Sequence, residues 1–260
     1  MRSFHVCVVL LLLVGGGWVR AQPAADVPVI AAASDLKFAL EDIATRFRGE
    51  TKLDVKLVFG SSGNFYSQIE QAAPFQLFMS ADEGFIFKLA DAGRVEDRGV
   101  LYAVGRIVLF APHGSPFKPD GQMADLRAAL AGGRIKRFAI ANPEHAPYGR
   151  AAEQALNRLG LWQSLQGKLV LGENVSQTAQ FAAAGSADGG IFAYSLALSP
   201  AVSTLGTYVV VPADMHDPLR QRMALVKGAN STARAFYNYL QQSSARGIFR
   251  QYGFVLPGEL

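Results

Sequence analysis

Cysteine occurs once in the 260 residues, at Cys7, and histidine only four times. One cysteine forms no intramolecular disulfide and supplies neither a thiolate metal cluster nor a catalytic thiol pair. Cys7 itself opens an apolar run, Val6 to Val14, which follows Arg2 and leads through Gly15–Gly17 to Val19-Arg20-Ala21. A basic end, a short apolar stretch and small residues at the cleavage position make a secretory signal peptide. Cleavage after Ala21 is expected, so residues 1–21 leave and take the thiol with them. The run falls well short of the roughly 20 apolar residues that cross a bilayer, and no later segment comes close. A protein exported to the periplasm is expected.

Charge of one sign is also scarce. Removing Arg2 and Arg20 with the leader lowers the formal charge from +4 to +2, and no Lys/Arg cluster of the kind that grips nucleic acid is present. His113, His145 and His216 stand in loop segments without H-E-x-x-H or H-x-x-E-H spacing, so a catalytic zinc has no support. Long repeats, low-complexity tracts and disordered linkers are likewise absent.

What is present is an alternation of strand-like runs and helical periodicity. Val27–Ala33 is followed by Leu36, Leu40, Ile43 and Phe47 on one helical face, Leu53–Phe59 by a helix over Phe65–Ala72, and Phe75–Ser80 by a helix over Asp82–Ala92. Such βαβα order predicts a parallel sheet. The near-continuous apolar segment Val100–Ala111, then Pro112, Gly114, Pro116 and Pro119, predicts a hinge strand into a second unit. That unit repeats the scheme: strand Arg137–Ala141 and helix Arg150–Leu159, strand Lys168–Leu171 and helix Ser176–Ala184, then strand Gly190–Ser195. After Leu205–Val211, a strand Met223–Val226 and helices Thr232–Gln241 and Ala245–Tyr252 are too little for a third domain and are expected to return to the first. The fold class is therefore α/β, two doubly wound lobes joined by two hinge strands, with residues 26–104 and 212–260 in lobe 1 and 105–211 in lobe 2.

Ser34 and Ser62 each stand where a strand hands over to a helix. The first backbone N–H groups of a helix have no intrahelical partner and carry about half a positive charge, so such handovers hold anions without any cation. Taken alone, a serine there is most often an N-cap; two in the first third of the chain point to oxyanion capture.

The segments Ala31-Ala-Ala-Ser34-Asp35-Leu36, Phe59-Gly-Ser-Ser62, Asp82-Glu83, Asn142-Pro-Glu-His-Ala-Pro-Tyr148-Gly149, Glu173-Asn-Val175 and Ala235-Phe-Tyr-Asn-Tyr-Leu240 together resemble, in order, the periplasmic molybdate-binding proteins of ABC transporters. The resemblance implies a type II periplasmic binding protein fold that closes on molybdate or tungstate, with no cofactor and no catalysis, and delivers the ligand to a membrane permease as a monomer. It implies hydroxyl ligands at Ser34 and Ser62, backbone donors at Tyr148 and Val175, and a further contact at Asp35. A carboxylate would repel a dianion, so only the Asp35 N–H is expected to face the ligand, its side chain turning to solvent or capping the helix. Tyr194 is the candidate for a tyrosine hydroxyl ligand.

Molybdate is fully deprotonated at neutral pH and only accepts hydrogen bonds, so a site of pure donors suits it, whereas hydrogen phosphate also wants an acceptor. Sulfate and phosphate are the rivals within the same fold. An exported serine hydrolase using Ser62 is the rival from another class, but Gly60 and Gly63 flank Ser62 at unequal distances, unlike a G-x-S-x-G elbow, and no acidic partner for a histidine base can be identified.

Overall fold

The computed structural model describes residues 27–259, and the expected signal peptide with Cys7 lies outside them. The first lobe opens with β1 (Val29–Ala33), α1 (Lys37–Thr51), β2 (Lys56–Gly60), α2 (Ser62–Glu70), β3 (Leu77–Ser80), α3 (Glu83–Asp91) and β4 (Val100–Gly105). The second lobe contains β5 (Ile107–Pro112), α4 (Ala124–Ala131), β6 (Phe138–Ala141), α5 (Pro147–Arg158), α6 (Trp162–Leu165), β7 (Leu169–Gly172) and α7 (Val175–Ala183). It ends with β8 (Gly190–Ala193), α8 (Tyr194–Ala197), α9 (Pro200–Ser203) and β9 (Gly206–Val210). The chain then returns to the first lobe as β10 (Leu219–Leu225), α10 (Ser231–Tyr239) and α11 (Ser243–Gln251).

The two sheets share one plan, with orders β2-β1-β3-β10-β4 and β7-β6-β8-β5-β9. Neither is purely parallel, which corrects the expectation from the βαβα pattern. β10 runs antiparallel to β3 and β4, and β5 runs antiparallel to β8 and β9. The reason is the crossing: β5 and β10 are the strands that enter a lobe from the hinge, so each starts at the sheet end where its neighbours finish. The apolar segment Val100–Ala111 is two strands in different sheets, broken at Arg106, whose guanidinium donates to the Gly253 carbonyl at 2.8 and 3.1 Å.

Alternating periodicity becomes packing in the expected way. Ala39, Leu40, Ile43 and Phe47 are the buried face of α1. The rings of Phe236 and Tyr239 from α10 meet Phe47 edge-on at 5.0 and 5.3 Å, tying the returning C-terminal helices to the first lobe. Side-chain caps fix the helix starts: Ser61 accepts from the Asn64 N–H, Asp82 from Gly84, and Asn174 from Ser176 and Gln177. Among the described residues no helix is long and apolar enough to cross a membrane.

Candidate oxyanion site between the lobes

The carboxyl ends of β1, β2 and β3 face those of β6 and β7, the usual place for a ligand in an open α/β sheet. After β1 the chain makes a 3₁₀ turn, Ser34–Leu36. After β2, Ser61 caps α2 and Ser62 is its first residue. From the other lobe α5 begins at Pro147 and α7 at Val175. One small, tightly closed cavity is lined by Ser34, Asp35, Ser62, Tyr148 and Val175, together with Ala33, Gly60, Ser61, Ala81, Ala146 and Pro147. Five of the six expected residues are thus brought together, and neither lysine nor arginine lines the space.

Tyr194 is not brought there. It stands at the start of α8 rather than in a strand, with the Arg106 guanidinium 4.8 Å from its ring centroid and Tyr208 packed alongside at 5.8 Å. Its neighbour Ser195 turns inward instead and donates to the Asp35 backbone carbonyl at 2.7 Å.

Bookkeeping of donors shows what the cavity offers. Ser62 Oγ accepts the Ala81 N–H at 2.9 Å, which satisfies one lone pair and leaves its proton to donate. Ser34 Oγ accepts the Ser176 N–H across the cleft at 3.2 Å and is left in the same condition. Asn174 occupies the N–H groups of Ser176 and Gln177, leaving that of Val175 as the orphan donor of α7. Pro147 has no N–H, and the Ala146 carbonyl takes those of Gly149 and Arg150, so Tyr148 supplies the first donor of α5. Two hydroxyls and two amides, backed by helix N-termini, converge from both lobes.

Asp35 departs from expectation. Its side chain neither reaches solvent nor caps a helix; it is 1% exposed and accepts from Gln221 Nε2 at 2.6 Å and from the Tyr148 hydroxyl at 2.9 Å, both on Oδ2. Gln221 in turn accepts from Tyr102 at 2.8 Å. Burial pushes the Asp35 carboxyl up to about 6 against the pull of these hydrogen bonds. Burial, with the Asp35 charge added, holds Tyr148 and Tyr102 well above the usual phenol range. Gly105 makes room for this cluster, since a Cβ there would lie 2.2 Å from the Tyr148 hydroxyl.

A second set of contacts closes the cleft. The Gly63 N–H donates to the His145 carbonyl at 2.9 Å, His145 Nδ1 lies 2.9 Å from Ser61 Oγ, and Asn64 Nδ2 donates to Glu173 at 2.6 Å. Arg150 pairs with Asp82 at 2.5 Å in the adjoining interlobe space. His145 does have an acidic neighbour, Glu173 at 3.7 Å, which the sequence could not reveal. It meets Ser61 rather than Ser62, however, and Ser61 Oγ also caps α2. The contacts His145–Ser61, Asn64–Glu173 and Gln221–Asp35 join elements far apart in the chain, which local sequence patterns do not reveal. Among the described residues no group of three or more His, Cys, Asp or Glu is placed to hold a metal ion.

Two lobes of one topology, crossed twice by the chain and closed on a cavity of neutral donors, define a bivalved solute receptor. The chain belongs to the bacterial extracellular solute-binding protein family, whose model matches residues 28–255. It is 37% identical to the molybdate-binding protein ModA of Azotobacter vinelandii over 98% of this chain and 99% of that one. It is 38% identical to the ModA of Rhodobacter capsulatus over 90% and 91%. The solved structure of the Azotobacter vinelandii periplasmic molybdate-binding protein superposes with a TM-score of 0.80 at 32% identity, covering 89% of this chain and all of that one. The family resemblance read from the motifs therefore holds.

Proposed function

We propose that this protein is a periplasmic receptor, released by cleavage of residues 1–21, that traps molybdate or tungstate between lobe 1 (26–104 and 212–260) and lobe 2 (105–211) and presents the closed form, as a monomer, to the permease of an ABC importer. The observation that carries the reading is the convergence of Ser34 and Ser62 hydroxyls with the Tyr148 and Val175 amides on one cavity free of cations. Relatives named for molybdate binding support the choice of ligand.

The physical logic is differential contact. In an open form each lobe offers only its own donors; in the closed form the anion bridges all of them, so ligand shifts the population toward closure. Hydrogen bonds to a charged group contribute about 1.5–3 kcal/mol each. Five to seven of them, less the costs of closure and lost freedom, reach the roughly 12 kcal/mol of a nanomolar complex. A second reading, hydrogen phosphate, draws on Asp35, whose Oδ1 is buried without a hydrogen-bond partner and could accept a ligand proton. Calorimetry against molybdate, tungstate, sulfate and phosphate separates them: tight binding of the first two alone supports the proposal, and binding of phosphate alone replaces it.

A further inference from the structure

An ionised Asp35 fits poorly beside a captured anion. Its Oδ2 takes both available hydrogen bonds, from Gln221 and Tyr148, while Oδ1 is buried and bare. The groups packed around it are the Tyr148 phenol from α5, the Tyr102 phenol from β4, the Gln221 amide from β10 and the Ser195 hydroxyl from α8. Both phenols are neutral, and among the described residues no lysine, arginine or histidine forms an ion pair with Asp35. The carboxyl therefore lacks any counter-charge, and Asp35 lines the cavity beside Ser34, so its charge lies close to any anion captured there.

Two unit charges 4 Å apart repel by about 4 kcal/mol at an effective dielectric constant of about 20. Each unit charge at that range raises a carboxyl by about 3 pK units, and the proposed ligand carries two. Burial in the closed cavity has already moved the group most of the way to neutral pH. A proton on Oδ1 removes the repulsion and with it the cost of a buried carboxylate that has no counter-charge.

Resting on the oxyanion reading above, we propose that each captured dianion enters together with one proton from the medium, bound at Asp35 Oδ1, so that the side chain serves the closed site as a neutral carboxylic acid. No bond of the oxyanion breaks; the buffer loses one proton and the Asp35 carboxylate gains it. Capture is thereby favoured on the acid side of neutrality, and selectivity for a fully deprotonated anion is kept although a carboxyl lines the site.

The test is calorimetric titration of the exported protein with sodium molybdate between pH 6.5 and 8.5, in buffers of differing ionisation enthalpy. Uptake approaching one proton per anion is expected, with Kd weakening about tenfold per pH unit over this range. Asp35→Asn is expected to abolish both the uptake and the slope. Tight binding with no uptake and a flat profile overturns proton capture and leaves the oxyanion site standing. Uptake that persists in Asp35→Asn assigns the proton to another group and also overturns it. Failure of the wild-type protein to bind molybdate removes the functional reading and this inference together.

Discussion

The backbone N–H of Gly63 donates to the carbonyl of His145 at 2.9 Å, joining the first turn of α2 to the loop before α5 across the cleft. A Cβ at position 63 would lie 2.6 Å from that carbonyl oxygen and 2.9 Å from the His145 Cα. The closed form thus depends on a glycine in a helix, where alanine is otherwise preferred by up to about 1 kcal/mol. Gly63→Ala is expected to leave the melting temperature of the ligand-free protein unchanged or slightly raised while weakening anion binding at least tenfold, about 1.4 kcal/mol. Calorimetry beside thermal melts checks both halves; unchanged affinity means that closure does not bring these backbones together.

The two serines differ in a way that can be measured. Each loses one hydrogen bond to a charged ligand on truncation, about 1.5–3 kcal/mol of binding. Ser62→Ala additionally strands the buried Ala81 N–H within its own lobe and is expected to lower the ligand-free stability by about 1–3 kcal/mol. The Ser34 Oγ contact to the Ser176 N–H crosses the cleft, so Ser34→Ala should cost affinity with little change in ligand-free melting. Equal melting losses in both variants would contradict that division.

Asp35 links stability to pH. Its carboxyl is raised from 3.8 to about 6 in the closed fold, so between these values the fold binds more protons than the unfolded chain. Stability contributed by the protonated form is present below about pH 4 and lost as pH rises toward 6, by about 3 kcal/mol in all. Asparagine does not titrate and preserves an acceptor for Tyr148 and Gln221. Urea unfolding should therefore show Asp35→Asn gaining on the wild type from pH 4.5 to 7.5; a constant difference would show that burial does not perturb this group.

Asn64 and Glu173 form an exposed latch over the cleft. Exposed contacts of this kind contribute less than about 1 kcal/mol, and interface changes act mainly on release. Stopped-flow measurement with Asn64→Ala should show severalfold faster ligand release at an unchanged association rate; a slowed association would place the pair on the closing path instead.

Much of the fold is legible in the chain because strands and helices alternate with clear periods, and Ser34 and Ser62 stand out at strand-to-helix handovers, whereas Tyr148 and Val175 follow only from the family resemblance, since a helix start alone does not tell a ligand donor from a turn or a core residue. Sheet direction at β5 and β10 was not legible, since it follows from where the chain crosses between lobes. The Asp35 environment was misread because its partners, Tyr148 and Gln221, lie 113 and 186 residues away. Tyr194 was misplaced by the end of β8: the strand stops at Ala193, and the helical turn that follows points Ser195, not the tyrosine, toward Asp35.

In the proposed complex, neutral donors of both lobes meet on one anion. Crystals grown with molybdate and measured at the molybdenum absorption edge locate the metal by its anomalous signal. A single strong peak within hydrogen-bonding reach, through its oxygens, of Ser34 Oγ, Ser62 Oγ and the Tyr148 and Val175 amides is the expected result; a peak in the neighbouring Asp82–Arg150 space, or none between the lobes, would contradict it.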